Sequence, residues 1–276
     1  RCGGRNNIIS DRGFLFDTGP SFVLMPDFFE EVFSYCAEDI RAYLDLAVLE
    51  RHYKIFYPDG RTLTVHKDIM QTKQELERIE SGAAGRYDAF LREVESIYKS
   101  LEPLLYRCFG VRDIFDPRMW GLVKKISAFS TYWKIARTYF KTQELCFAMM
   151  FEAMLIGVSP YQAPGFYSII SYTDHCQKIR HPMGGMYRIP QALEKLGKKF
   201  GVTYHYDAEV TEISGNGSIR LKTKQGEHQA QSVVINADYA YAQKELLGRT
   251  LPKYAYSCSV LLFYLGLKSK ISGLEH

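Results

Sequence analysis

Arg12-Gly13-Phe14-Leu15-Phe16-Asp17-Thr18-Gly19-Pro20-Ser21 is the stretch on which the reading of this chain turns. Apolar residues alternate from Gly13 to Asp17, the two-residue period of a strand, and Thr18-Gly19-Pro20-Ser21 follows as a turn. Upstream stands Gly3-Gly4-Arg5, where adjacent glycines let backbone approach a ligand closely and an arginine can meet a phosphate. Gly19-Pro20-Ser21 can present backbone N–H groups to a flat polar ring. Taken singly, each element is better explained as a glycine turn before a hairpin with a surface arginine.

Working outward, a helix is expected from Asp27 to about Tyr35, and a β-hairpin from Tyr53–Tyr57 and Thr62–Val65 across Pro58-Asp59-Gly60-Arg61. Residues 69–178 read as mainly helical, with Tyr87, Phe90, Leu91, Val94, Ile97, Tyr98 and Leu101 on one face. Pro103, Pro117, Pro160 and Pro164 divide that region. A further helix follows Gly184-Gly185, with Ile189, Leu193, Leu196 and Phe200 as its apolar stripe and Gly201 as its stop. Strands are expected at Val202–Tyr206, Glu209–Ile213, Ile219–Thr223 and Val233–Asn236, a helix from Asp238 to about Leu247, and a last strand at Ser257–Leu267. The pattern is α/β in the mixed, α+β sense.

Composition narrows the function classes. At 46% hydrophobic and 24% charged residues, the chain is neither disordered nor fibrous. Twenty Tyr and 17 Phe against two Trp suit large apolar surfaces with a polar handle, around a bulky greasy ligand, at a membrane face or in a rich core. A net charge of +4 without any long Lys/Arg run excludes nucleic acid as a partner. The six cysteines (Cys2, Cys36, Cys108, Cys146, Cys176, Cys258) form no C-x-x-C pair, so no metal site is expected and the thiols read as those of a cytoplasmic protein. Eighteen consecutive apolar residues occur nowhere, so membrane contact would be peripheral.

Residues 117–143 hold that expectation. They contain no acid, six bases (Arg118, Lys124, Lys125, Lys134, Arg137, Lys141) and Trp120, Trp133, Phe129, Tyr132, Tyr139 and Phe140. Bases would meet anionic headgroups with rings at the acyl boundary; an amphipathic helix pair with a solvated basic face fits equally well.

Two more segments complete the constellation. His181-Pro182-Met183-Gly184-Gly185-Met186 places glycines at a helix entry, where an N-terminus can face an anion or ring, and the block after that helix carries Ala208-Glu209-Val210. Val233-Val234-Ile235-Asn236-Ala237-Asp238 is an apolar run ending in a polar turn, where open α/β sheets bind ligands.

In this order the segments, with Gly157-Val158-Ser159-Pro160 and Ser257-Cys258-Ser259 before Phe263-Tyr264-Leu265-Gly266, resemble the bacterial and fungal phytoene (carotenoid) desaturases among FAD-dependent oxidoreductases. The resemblance implies an incomplete FAD-binding Rossmann-like domain and a helical and antiparallel-sheet substrate domain. Segments 1–22 and 181–238 would belong to the first and 23–180 to the second, with 239–276 returning to the second domain's sheet. It implies FAD as cofactor, a long isoprenoid (carotene) as substrate, and hydride transfer to flavin with proton loss. Gly3, Gly4, Arg5, Gly19, Pro20, Ser21 and Val210 would be cofactor-binding, Arg5 toward the diphosphate and Val210 toward adenine. Gly184, Gly185 and Met186 would lie where flavin and substrate meet. The family's Gly-x-Gly-x-x-Gly loop would precede Arg1 and its second flavin segment would follow His276, so this chain is read as a fragment that alone binds FAD weakly or not at all. Asp174 and His175 are the acid–base candidates, with a solvated helix end as the weightier reading. Two alternatives stand beside desaturation: a related flavoprotein (carotene isomerase, carotenoid oxidase or amine oxidase) and a non-catalytic isoprenoid-binding protein.

Overall fold

The structure, a computed structural model, describes residues 1–108, 110, 113, 115–215, 217–253, 256–269 and 271. Its contacts divide the chain into two compact units, one of Arg5–Ile189 with Ser257–His276, the other of Arg1–Gly4 with Pro190–Tyr256. Residues 5–22, expected among the flavin-binding segments, group with the helical unit.

The larger unit opens with a hairpin of β1 (Asn7–Asp11) and β2 (Phe14–Thr18), in register from Asn7↔Thr18 to Asp11↔Phe14. Helix α1 (Pro26–Tyr35) starts on a proline, whose missing N–H costs nothing at a first turn. Strand β3 (Leu46–Val48) leads to the expected hairpin of β4 (Arg51–Phe56) and β5 (Thr62–His66). Helix α2 (Ile69–Ile79) is capped by Asp68, whose carboxylate accepts from Met70 N at 2.8 Å. Helix α3 (Ala83–Leu105) buries the expected face: Phe90 and Val94 are fully enclosed, and Tyr87 and Ile97 nearly so. Helices α4 (Pro117–Lys125), α5 (Tyr132–Tyr139), α6 (Gln143–Met150) and α7 (Ile169–His175) follow. Tyr132, Phe140, Leu145, Met149 and Met150 close one continuous core with α3 and Leu63 of β5. At about 1.5–3 kcal/mol per buried large apolar side chain, this core is the main source of the unit's stability. Strand β6 (Arg180–Pro182) returns antiparallel to β3, pairing Ala47 with His181.

The smaller unit takes most of α8 (Arg188–Lys199) and a three-stranded antiparallel sheet of β7 (Val210–Ser214), β8 (Ile219–Thr223) and β9 (Gly226–Ala230). Asp238 caps the next helical turn, accepting from Tyr241 N at 3.1 Å, and the turn passes into a π-helical segment at Ala242–Leu246.

Several expectations are corrected. Pro103 does not break its helix, because it lies in the last turn of α3, where the lost donor is a single one and packing of the long helix decides. Val202–Tyr206, Val233–Asn236 and Ser257–Leu267 form no strand among the described residues: alternation supplies a face, but a strand also needs a paired neighbour for its N–H and C=O groups. Leu193 on α8 and Phe200 just beyond its end are exposed, and Ala192 joins Ile189 and Leu196 as the buried stripe. Every strand pair described is antiparallel. Asn216, in the expected Gly215-Asn216-Gly217 turn, lies outside the described residues, as do the side chains of Arg118 and Lys124 and part of the last strand expectation's flank.

Candidate functional site

Within the larger unit, two segments singled out by sequence are stitched along one seam. Val23 and Arg180 exchange backbone hydrogen bonds at 2.8 and 3.1 Å, which fixes residues 19–23 against β6. The Asp17 carboxylate accepts from Met186 N at 2.8 Å and Tyr187 N at 3.1 Å, and Asn6 Nδ2 donates to Met186 O at 3.1 Å. His181 Nδ1 lies 3.0 Å from Ser21 O. Thus Asp17 supplies the anion that the Gly184–Met186 helix entry was expected to face, and it comes from the chain itself.

Glycine is required at two points of the seam. Gly19 has φ 103°, and a Cβ there would lie 2.2 Å from Arg5 O. Gly185 has φ 99°, and its Cβ would lie 2.6 Å from Asp17 Oδ2. So the backbone at Arg5, Gly19 and Gly185 lies along one seam of the larger unit. Gly19, Pro20, Ser21, Arg5 and Gly184 are exposed, whereas the Met186 side chain is buried and offers only backbone. Gly3, Gly4 and Val210 belong to the smaller unit. There Ala208 and Glu209, just before the half-buried Val210, line a cleft of about 520 Å³ with Arg1, His205, Tyr206, Asp207 and Lys224.

Behind the seam lies a polar cluster that sequence reasoning misjudged. Asp174 and His175 are not at a solvated helix end: they are 0% and 2% exposed. The apolar face of α7 is too narrow to exclude them, and α3, β4 and the 3-10 turn Phe151–Ile156 close over them. Tyr87 donates to His175 Nδ1 at 2.6 Å. The Tyr53 hydroxyl donates to Ala148 O at 3.3 Å, so it accepts from His175 Nε2–H at 3.2 Å. His52 Nδ1 stands 3.2 Å from Asp174 Oδ1, unaligned for a hydrogen bond, and Glu152 is also buried. Burial, and then the nearby Asp174 carboxylate, push the Glu152 carboxyl well above the usual range. Burial holds His175 below the usual histidine value, against the pull of Asp174. Tyr53 also packs with Phe151, at 4.5 Å between rings, and Phe22, next to Ser21, packs against the small cluster of Tyr53, Val65 and Ile179. One signal could have found the cluster: Glu152 is the single charge in the apolar run Cys146–Val158.

Of the aromatic set in 117–143, Tyr132 and Phe140 are core residues, and Trp133 packs at a tilt against Tyr161, 4.7 Å between rings. Trp120 and Phe129 remain exposed, at 58% and 82%, with Lys125, Lys134, Arg137 and Lys141. No helix among the described residues is long and apolar enough to cross a membrane.

The exposed Gly19-Pro20-Ser21 loop, with a fixed helix entry beside it, is what a cradle for a flat, charged cofactor needs. Residues 1–257 match the family model of flavin-containing amine oxidoreductases, and the chain belongs to that family, whose cofactor is FAD. It is 35% identical over 99% of its length to a zeta-carotene-forming phytoene desaturase of Myxococcus xanthus, covering 55% of that protein. It is 33% identical to a carotenoid 3,4-desaturase of Haloarcula japonica (100% of this chain, 58% of that one). A phytoene desaturase of Phycomyces blakesleeanus is 31% identical (99% and 49%). The chain therefore spans about half the length of the curated relatives it matches.

Proposed function

We propose that the full-length protein carrying this chain is an FAD-dependent desaturase of a carotenoid precursor such as phytoene. The supporting observation is the seam, where the Gly19-Pro20-Ser21 loop and the Gly184–Met186 turn meet through Asp17, Asn6 and His181 in a chain whose relatives are carotenoid desaturases. Bound there, the flavin would supply an acceptor for a hydrogen with its electron pair. Arg5, Gly19, Pro20 and Ser21 of this unit would hold it, with Arg5 neutralising diphosphate charge. Gly184, Gly185 and Met186 would border a long isoprenoid. Asp174 and His175, 0% and 2% exposed, would support the wall behind the site rather than touch that substrate. Expression of the full-length protein in cells that accumulate phytoene should convert it to a coloured polyene. Unchanged phytoene with a flavin-loaded protein would reject desaturation in favour of another flavoprotein chemistry.

The protein would work in the cytoplasm, peripheral to a membrane, through the exposed part of 117–143. Trp120 and Phe129 would enter the acyl boundary while Lys125, Lys134, Arg137 and Lys141 meet anionic headgroups. Replacing Lys124, Lys125, Lys134 and Arg137 by Glu should abolish co-sedimentation with anionic liposomes, and unchanged binding would reject this surface.

A further inference from the structure

We infer that His181 is the proton acceptor of the site, held by Ser21 through Nδ1 so that Nε2, on the opposite edge of the ring, is its base. This rests on the desaturase reading and deepens it. A carbonyl oxygen can only accept, so the 3.0 Å contact between His181 Nδ1 and Ser21 O requires the hydrogen on Nδ1. In the neutral ring Nε2 is then a bare acceptor, and no group among the described residues is bonded to it.

The framework makes this a fixed position. His181 sits in the middle of β6, opposite Ala47, between Arg180, doubly bonded to Val23, and Pro182, whose carbonyl accepts from Gly185 N at 3.0 Å. One side of the ring is thereby tied to the loop expected to meet flavin, and the chain beyond it forms the turn expected to meet substrate. The other basic or acidic candidates are committed elsewhere. Both Asp17 oxygens accept backbone N–H groups, and His52, Asp174 and His175 are sealed in the cluster. Charges on the elements packed around His181 are Asp17 and Asp45 on one hand, Arg180 and Arg188 on the other, with Glu30 paired to Arg180 at 3.1 Å.

In the desaturation, two adjacent C–H bonds break. His181 Nε2 would take one hydrogen as a proton, the electron pair left behind would become the new C=C π bond, and the flavin, when bound in oxidised form, would supply the acceptor for the other hydrogen as hydride. The ring, now carrying hydrogen on both nitrogens, keeps its bond to Ser21 O and returns the proton to solvent through its exposed edge.

Two experiments test this. In the 276-residue chain, diethyl pyrocarbonate, which attacks an unprotonated imidazole nitrogen, should label His181 at least about tenfold faster than the enclosed His175, and ring ¹⁵N shifts should show the Nδ1–H form. An Nε2–H ring or an unlabelled His181 would overturn the assignment. In the flavin-loaded full-length protein, His181→Asn keeps a donor for Ser21 O but has no base. It should retain flavin, melting temperature and KM while kcat falls about 100- to 10,000-fold, the usual worth of a general base. Wild-type kcat in His181→Asn overturns the role of His181 alone, whereas a wild-type protein that loads flavin and leaves phytoene untouched overturns the desaturase reading instead.

Discussion

Replacing Gly185 by Ala should disrupt the seam at its tightest point. The new Cβ would lie 2.6 Å from Asp17 Oδ2 and 3.3 Å from Oδ1, too close for either contact to persist. Asp17 must then retreat, loosening its bonds to Met186 N and Tyr187 N, or the turn must leave φ 99°, which is itself costly for alanine. A non-glycine residue at such a φ costs about 1–3 kcal/mol, and each lost bond to a charged acceptor about 1.5–3 kcal/mol. Because the two effects share one carboxylate they do not add fully, and we expect a loss of about 3–5 kcal/mol. That is a large part of the roughly 5–15 kcal/mol of a whole domain. Urea unfolding of the purified chain measures it, and hydrogen exchange at the Met186 and Tyr187 amides localises it. In an Asp17→Ala background the same substitution should cost only the backbone part, about 1–3 kcal/mol. Equal costs in both backgrounds would refute the argument that Asp17 and Gly185 are matched to each other.

The buried carboxyl should make stability fall as pH rises. Glu152 holds its proton in the folded chain but loses it above about 4.5 when unfolded, so unfolding gains with increasing pH; Glu152→Gln should flatten that slope, and parallel melting curves from pH 5 to 8 would contradict it. His175 acts in the opposite sense, since the unfolded ring takes a proton below about 6.5 that the folded ring resists, and stability should also fall on acidification. Glu80 accepts from Thr142 N and Thr142 Oγ1, each at 2.8 Å, and from Lys141 N and Arg86; these bonds outweigh burial and hold its carboxyl below the usual range. Its contribution is present above pH 4.5 and lost on acidification, and Glu80→Gln should destabilise the chain by about 1–3 kcal/mol in urea; no change would mean α6 is held without this cap. Tyr53→Phe keeps the 4.5 Å contact with Phe151 but removes the hydroxyl that accepts from His175 Nε2–H, and should cost about 1–3 kcal/mol with faster amide exchange at residues 180–187; protection equal to wild type would uncouple cluster from seam.

The elements that sequence revealed are those whose signal is local. The hairpin of β4 and β5, the seven-residue face of α3 and the glycine turns at 19 and 184–185 each depend on spacing within a few residues. Pairings that join distant segments were invisible: β3 with β6, and Asp17 with Met186, are separated by more than a hundred residues, and nothing in either partner marks the other. The misreading of Asp174 and His175 has the same origin. A polar pair at a helix end is solvated unless something else covers it, and the cover here comes from Tyr53, Tyr87 and Glu152, each on a different element. Conversely, Val202–Tyr206 shows that period-two alternation is necessary for a strand and insufficient without a partner.

The position of the cluster explains why polar groups occupy a place that leucines could fill. Ile179 packs with Tyr53 and Val65, and the chain runs from it through β6 to the Gly184–Gly185 turn within six residues. Apolar contacts alone would tolerate small slips of that segment, because dispersion is weakly directional and cores of the right volume accept several packings. The bonds from His175 to Tyr53 and Tyr87 are directional, and they fix the Tyr53 ring against Phe151 within the cluster on which Phe22 packs. Phe22 in turn adjoins Ser21, whose carbonyl orients His181. Positional error at the seam is therefore limited by hydrogen-bond geometry several residues away, and the unfavourable burial of Glu152 and Asp174 is the energetic cost of that fixity.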